Sequence, residues 1–175
     1  MGLLSVKLSE NAVFDADAVF ESHFCTGASD EVILLDANAD ETEEEIRNCD
    51  MLDEVARYLA VPFHTLCYTH DGFDEAKKKF FGETLPKLLD LLEKFLGCSH
   101  WIIGDKMTYV DFYLCEVFDC IQLMTSDCLD KHQGMKKYVE RFYALDKIAA
   151  YRRSSRFKKW PFMTPLAKWG GKCEE

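Results

Sequence analysis

Gly104-Asp105-Lys106-Met107-Thr108-Tyr109-Val110-Asp111-Phe112 is the stretch on which the reading of the fold turns. Gly104-Asp105-Lys106 is a turn signal. Thr108 then stands where a helix N-cap belongs, with Asp111 three residues on, the arrangement of a capping box in which each side chain serves the other's orphan amide. Met107 before the cap and Phe112 at the fourth helical position have the spacing of a hydrophobic staple. The residues that follow, Leu114, Cys115, Val117, Phe118, Ile121 and Leu123, are apolar nearly all round, which predicts a buried central helix.

Working outward, the other segments also read as helices. Upstream, Thr42-Glu43-Glu44-Glu45 has the form of a capping box, and Ile46, Cys49, Leu52, Ala56, Leu59, Phe63 and Leu66 recur at helical spacing. Pro62 inside this run predicts a kink or a split. His70-Asp71-Gly72 predicts a turn. A helix from about Asp74 to Leu96 follows, bent or late-starting at Pro86 and ended by Gly97. Its apolar stripe includes Phe80, Phe81, Leu85, Leu88, Leu89, Leu91, Leu92, Phe95 and Leu96, a breadth that predicts burial on more than one side. Downstream come a loop at 126–134, a helix from Met135 to about Ala144, a short helix Lys147–Arg153, and a tail that packs through Trp160 and Trp169. Residues 12–24 have the pattern of a short amphipathic helix. The run 32–35, Val-Ile-Leu-Leu, fits a buried strand or a helix start equally well.

Hydrophobic residues make up 48% of 175, enough for a core and too many for a disordered chain. No apolar run approaches the ~20 residues that span a bilayer. The start, MGLLSVKLSEN, reads poorly as a signal peptide, and Val6 breaks the myristoylation pattern. The expectation is an intracellular protein, cytoplasmic by default, with an organelle or a cytoskeletal assembly left open. Residues 1–60 carry 15 acids and three bases; the remainder carries 16 acids and 18 bases, eight of them between Lys147 and Lys172 with no acid among them. This is either a solvated face or an acidic arm complementary to a basic tail. The overall charge of −10 argues against nucleic acid as partner.

Eight cysteines are scattered without a C-x-x-C, which reads as reduced core residues. Cys67/His70 and Cys98/His100 lack a second matching pair, so no metal site is expected. Thr108 with Asp111 could be a catalytic pair, but capping suffices to explain them. His64 and His70 could be general bases, with no nucleophile placed near them. Cys25 or Cys115 could be a reactive thiol, which would need a lowered pKa.

On these residues, 41–175 resemble the C-terminal domain of cytosolic glutathione transferases, nearest the mu class. The likeness runs from ETEEEIRNCDMLDEV through Leu66-Cys67-Tyr68 and the Leu85-Pro86 helix, peaks at WIIGDKMTYVDFYLCEVFD, and ends in CLDKHQGMKKYVERFYALDKIAAYRRSSRF. The resemblance implies an all-α bundle of five or more helices, with the helix from Thr108 as its buried centre and folding nucleus. Residues 1–40 would be a short irregular acidic arm. In the family, glutathione sits on a thioredoxin-like domain of which no trace is expected here: residues 1–40 contain no proline, tyrosine or glutamine and no βαβ pattern. The mu-class tyrosine of the central helix aligns with Cys115, and Tyr113 lies on another face. No catalytic, cofactor or metal residue is therefore assigned. An apolar pocket around Phe63, Leu66 and Cys115 is weighed against plain core packing. The expected function is a non-catalytic structural or protein-interaction module, with other subunits covering the face left by the missing half. The alternatives are a glutathione transferase with its glutathione site rebuilt or supplied in trans, and a carrier of apolar small ligands.

Overall fold

The computed structural model describes residues 43–172, with side chains at Arg47 and from Met51 onward. The arm 1–40, the helix suggested at 12–24, the run 32–35, the cap at Thr42 and the side chains of Ile46 and Cys49 lie outside the described residues. Among those described, the secondary structure is helical: α1 (Glu43–Tyr68), α2 (Phe73–Lys79), a π-helical segment (Phe80–Thr84), α3 (Leu85–Leu96), α4 (Tyr109–Met124), α5 (Gln133–Tyr143) and α6 (Asp146–Arg153). The described part of the chain is all-α, as the family resemblance implies.

α4 is the centre. Val110, Leu114, Cys115, Phe118 and Ile121 are at or below 1% exposure on it. α1 packs along α4, α5 crosses both α3 and α4, and α6 follows on α5. On α1 the buried stripe is Leu52, Ala56, Leu59, Phe63 and Leu66, joined by Ala60 and Cys67. Each such large apolar side chain contributes about 1.5–3 kcal/mol by leaving water.

Pro62 does not split α1, which runs unbroken for 26 residues. A proline deprives the carbonyl four residues earlier of its donor. That residue is Tyr58, which with Val61 faces solvent, so water can serve the freed oxygen. Leu59, Ala60 and Phe63 on the other side are fully buried and hold the helix together across the defect.

The expected helix from 74 to 96 is divided by the π segment, and Pro86 falls in the first turn of α3, where its missing amide costs nothing. Nor is α3 buried on more than one side. Leu85, Leu89, Leu92 and Leu96 form a single stripe, while Leu91 and Phe95 are 39% exposed. Phe80 and Leu85 explain the discrepancy. Five residues apart, they would diverge by about 140° on an α-helix, yet both are buried. The π segment slips the phase, so one continuous buried face looks like two in the sequence.

The start of α5 is held from α3. Glu93 accepts from the Gly134 amide at 2.7 Å and faces His132 Nδ1 at 3.3 Å. A Cβ at residue 134 would sit 2.9 Å from the Glu93 carboxylate, so any larger residue here would push that carboxylate aside. The tail folds back over the C-terminal end of α1. Trp169 meets Phe63 edge-on at 6.1 Å and donates its amide to the Cys67 carbonyl.

Candidate functional site

The turn before α4 is closed by paired amide bonds between Trp101 and Gly104, with Gly104 at φ +91°. This aims the Ile102 amide at Asp111. The Asp111 carboxylate accepts from Ile102 N–H at 3.0 Å, Thr108 N–H at 2.7 Å, Thr108 Oγ1–H at 3.1 Å and Tyr138 O–H at 2.7 Å. Burial pushes its pKa up, and these four donors pull it back. Thr108 and Asp111 close a capping box. Every acceptor position of Asp111 is thus occupied by structure, which leaves no proton-transfer geometry there. Met107 is half-buried against the core, and Phe112 meets Phe142 edge-on at 5.1 Å.

The three residues considered as a pocket, Phe63, Leu66 and Cys115, have exposures of 0, 3 and 0%. Phe63 is filled in by Phe80 and Trp169. Burial drives the Cys115 thiol well above its ordinary pKa, and the nearby Asp111 charge adds to the rise. It is therefore protonated and shut from solvent, the opposite of an activated thiol. Cys67 is pushed up to about 12 by burial. Cys25 lies outside the described residues. Tyr113 is half-buried, and its pKa too is raised, by burial and then by Asp53. His70 is engaged with the Leu166 carbonyl at 3.1 Å, a contact that ties the tail to α1. Among the described residues, no three His, Cys, Asp or Glu side chains are grouped to hold a metal ion. No described helix is long and apolar enough to cross a membrane.

Two features were missed in the sequence. The first is Glu116, half-buried on α4 and raised to about 7 by burial and by Asp119. Asp119 in turn takes a two-pronged contact from Arg152 at 2.8 and 3.2 Å, and that guanidinium lies 4.1 Å over the Tyr143 ring. An acid directly after Cys115 in an apolar helix was the available signal. Because its folded pKa lies above the ordinary 4.5, the folded state binds this proton more tightly than the unfolded chain. Stability from this group is present at low pH and is lost as pH rises from about 4.5 to about 7. Glu116→Gln should therefore stabilise at pH 8 by about 1–2 kcal/mol, less than the full shift because the carboxyl keeps partial solvent contact. The gain should vanish near pH 4.5. Urea unfolding at both pH values checks this, and equal gains at both would refute it.

The second feature is the outer face of α1. Met51, Tyr58, Val61 and Tyr68 are 43, 68, 58 and 38% exposed, and with Thr65 they follow spacings of seven, three, four and three. They span about 26 Å of one face, with the exposed Glu54 standing between Met51 and Tyr58. The tail extends it: Tyr68 Oη meets Thr164 Oγ1 at 3.0 Å, and the neighbouring Leu166 is 78% exposed. The signal was there in the sequence, as Met51, Tyr58 and Val61 fall on the side opposite the buried stripe.

The profile of the family described as the glutathione S-transferase C-terminal domain matches residues 57–155. Glutathione S-transferase Mu 1 of Bos taurus is 39% identical over 132 residues, 75% of this chain and 60% of the relative. Glutathione S-transferase 2 of Gallus gallus is 39% identical over 134 residues, 77% of this chain and 60% of the relative. Among solved structures, the Onchocerca volvulus Pi-class glutathione S-transferase matches with a TM-score of 0.58 and 29% identity, covering 64% of this chain and 55% of that one. The glutathione S-transferase Blo t 8 matches with a TM-score of 0.64 over 75% of this chain and 62% of that one; at 21% identity it speaks to the fold alone. The chain thus spans about 60% of the length of the mu-class relatives it matches.

Proposed function

The chain belongs to the glutathione S-transferase family through its C-terminal helical domain, and from that premise we propose that it serves as a non-catalytic structural or protein-interaction module inside the cell. Its recognition surface in this reading is the outer face of α1. The observation that carries the proposal is the contrast between the two faces of that helix. The inner face ends in a closed core around Phe63 and the protonated Cys115 thiol. The outer face offers solvent two tyrosines, a methionine and a valine in a row, continued by Leu166. Aromatic and methionine side chains are the ones enriched where proteins meet, and the exposed row from Tyr58 to Tyr68 is of that kind.

A second reading is favoured by the mu-class relatives, which are named as glutathione transferases. In it the chain contributes the helical half of a glutathione transferase acting on electrophilic small molecules, with the thiol-activating groups supplied from outside the described residues. A calorimetric titration of the full chain with glutathione, coupled to turnover of a generic aromatic electrophile, separates the two. No saturable heat at millimolar glutathione and no turnover are expected. Saturable binding with turnover would overturn the module reading in favour of the enzyme.

A further inference from the structure

We propose that Ser155 is a phosphorylation site, taking a phosphoryl group from a nucleoside triphosphate in the active site of a protein kinase that reads basic residues. The inference is independent of the reading of α1 as a recognition surface.

Charge marks the segment. Arg152, Arg153, Arg156, Lys158 and Lys159 flank Ser155 on both sides, and no acid occurs between Lys147 and Lys172. Arg153, Arg156, Lys158 and Lys159 are exposed, so a kinase cleft lined with carboxylates can meet these four cations together. Charge patterns of this kind decide which substrate a kinase accepts. Arg152 is committed elsewhere, held by Asp119 at 2.8 Å and lying over the rings of Tyr143 and Phe157.

Geometry then separates the two adjacent serines. α6 ends at Arg153, and Ser154 caps it: its amide and its hydroxyl both donate to the Tyr151 carbonyl, at 3.0 and 2.7 Å. That hydroxyl is half-buried and serves the helix end. Ser155 is exposed. With Arg156 it forms the tip of a turn closed by the Phe157 amide on the Ser154 carbonyl, at 3.3 Å. Among the described residues this is the one main-chain to main-chain bond made by residues 155–160, so opening the turn costs little. A kinase needs that freedom, because its aspartate must reach the hydroxyl proton while the nucleotide lies in line with the oxygen. Other exposed hydroxyls lack these features. Thr65 sits within α1 with its hydroxyl on the Val61 carbonyl at 2.8 Å, and Ser126 is followed by the acid Asp127.

In the transfer, Ser155 Oγ forms a bond to the γ-phosphorus as the bond to the β–γ bridging oxygen breaks. The hydroxyl proton passes to the kinase's aspartate and the nucleoside diphosphate leaves. The product carries about −1.5 to −2 charge into the middle of the four bases. Arg153 and Arg156 lie beside it in the chain, and their guanidinium groups match a phosphate.

The test incubates the full, folded chain with adenosine triphosphate and magnesium, and with either a basic-directed or an acid-directed serine kinase. Intact mass and fragment sequencing read the product. The basic-directed kinase should add one phosphoryl group, at Ser155, many times faster than the acid-directed one. Ser155→Ala should abolish that addition and Ser154→Ala should retain it. Arg153→Ala combined with Arg156→Ala should slow it several-fold; these side chains and Ser155 are exposed, so the core is untouched. No incorporation at Ser155, equal rates with the two kinases, or modification of Ser154 in its place overturns the proposal. So does modification of a free peptide spanning 147–162 when the folded chain is refused.

Discussion

Asp111→Ala should cost about 3–5 kcal/mol of folding stability, read as a fall in the urea midpoint at pH 7 with the slope of the transition unchanged. The size follows from what the carboxylate serves. Asp111 is 0% exposed, and the amides of Ile102 and Thr108 and the hydroxyl of Tyr138 all point at it. Removing it leaves four buried donors, the Thr108 hydroxyl included, without this acceptor, each penalised by about 1–3 kcal/mol, offset in part by water entering the space. It also removes the cap of the central helix and loosens the Trp101–Gly104 turn. Tyr138→Phe is the control. It deletes one donor and leaves the other three bonds in place, so its cost should stay near 1 kcal/mol. If Asp111→Ala cost no more than Tyr138→Phe, the carboxylate would not be the junction described here.

Phe63→Ala should cost about 3–5 kcal/mol as well, for a different reason. Phe63 is fully buried where three parts of the chain meet: α1 itself, Phe80 of the π segment at 5.8 Å, and Trp169 of the tail at 6.1 Å. Truncation opens a cavity that the surrounding rings cannot collapse to fill. It also takes from Trp169 one of its aromatic neighbours, the others being Trp160 and Phe162 at 5.5 and 5.1 Å. The expected signature is a red shift of tryptophan emission before global unfolding. Unchanged emission with an unchanged midpoint would show that the tail does not depend on α1.

Local devices were legible in the sequence because they act over three or four residues. The capping box at Thr108 and Asp111, the buried stripe of α1 from Leu52 to Leu66 and the glycine end of α3 all announce themselves within one turn. The rest depends on distance along the chain. Nothing near Asp111 indicates that Tyr138 will close its fourth bond from 27 residues away, and nothing near Gly134 indicates that Glu93 will cap its helix from 41. Pro62 does not split α1 because the cost of its ring is decided by what surrounds Tyr58. The π segment misleads because a phase slip and a broad buried face leave the same periodicity. The exposed face of α1 is hidden in the sequence because Met51, Tyr58 and Val61 recur at helical spacing just as the buried set does.

The burial of thiols has a kinetic side. Cys67 and Cys115 are 0% exposed and Cys120 is 8%, all with pKa values raised by desolvation, whereas Cys98 sits open at the end of α3. A thiol reagent can attack only a thiolate it can reach, so modification of the first three must wait for the bundle to open. Cys98 will react at the rate of a surface thiol. The same molecule thus carries a fast clock and a slow one, and the ratio of their rates reads out how often the core breathes without any mutation or denaturant.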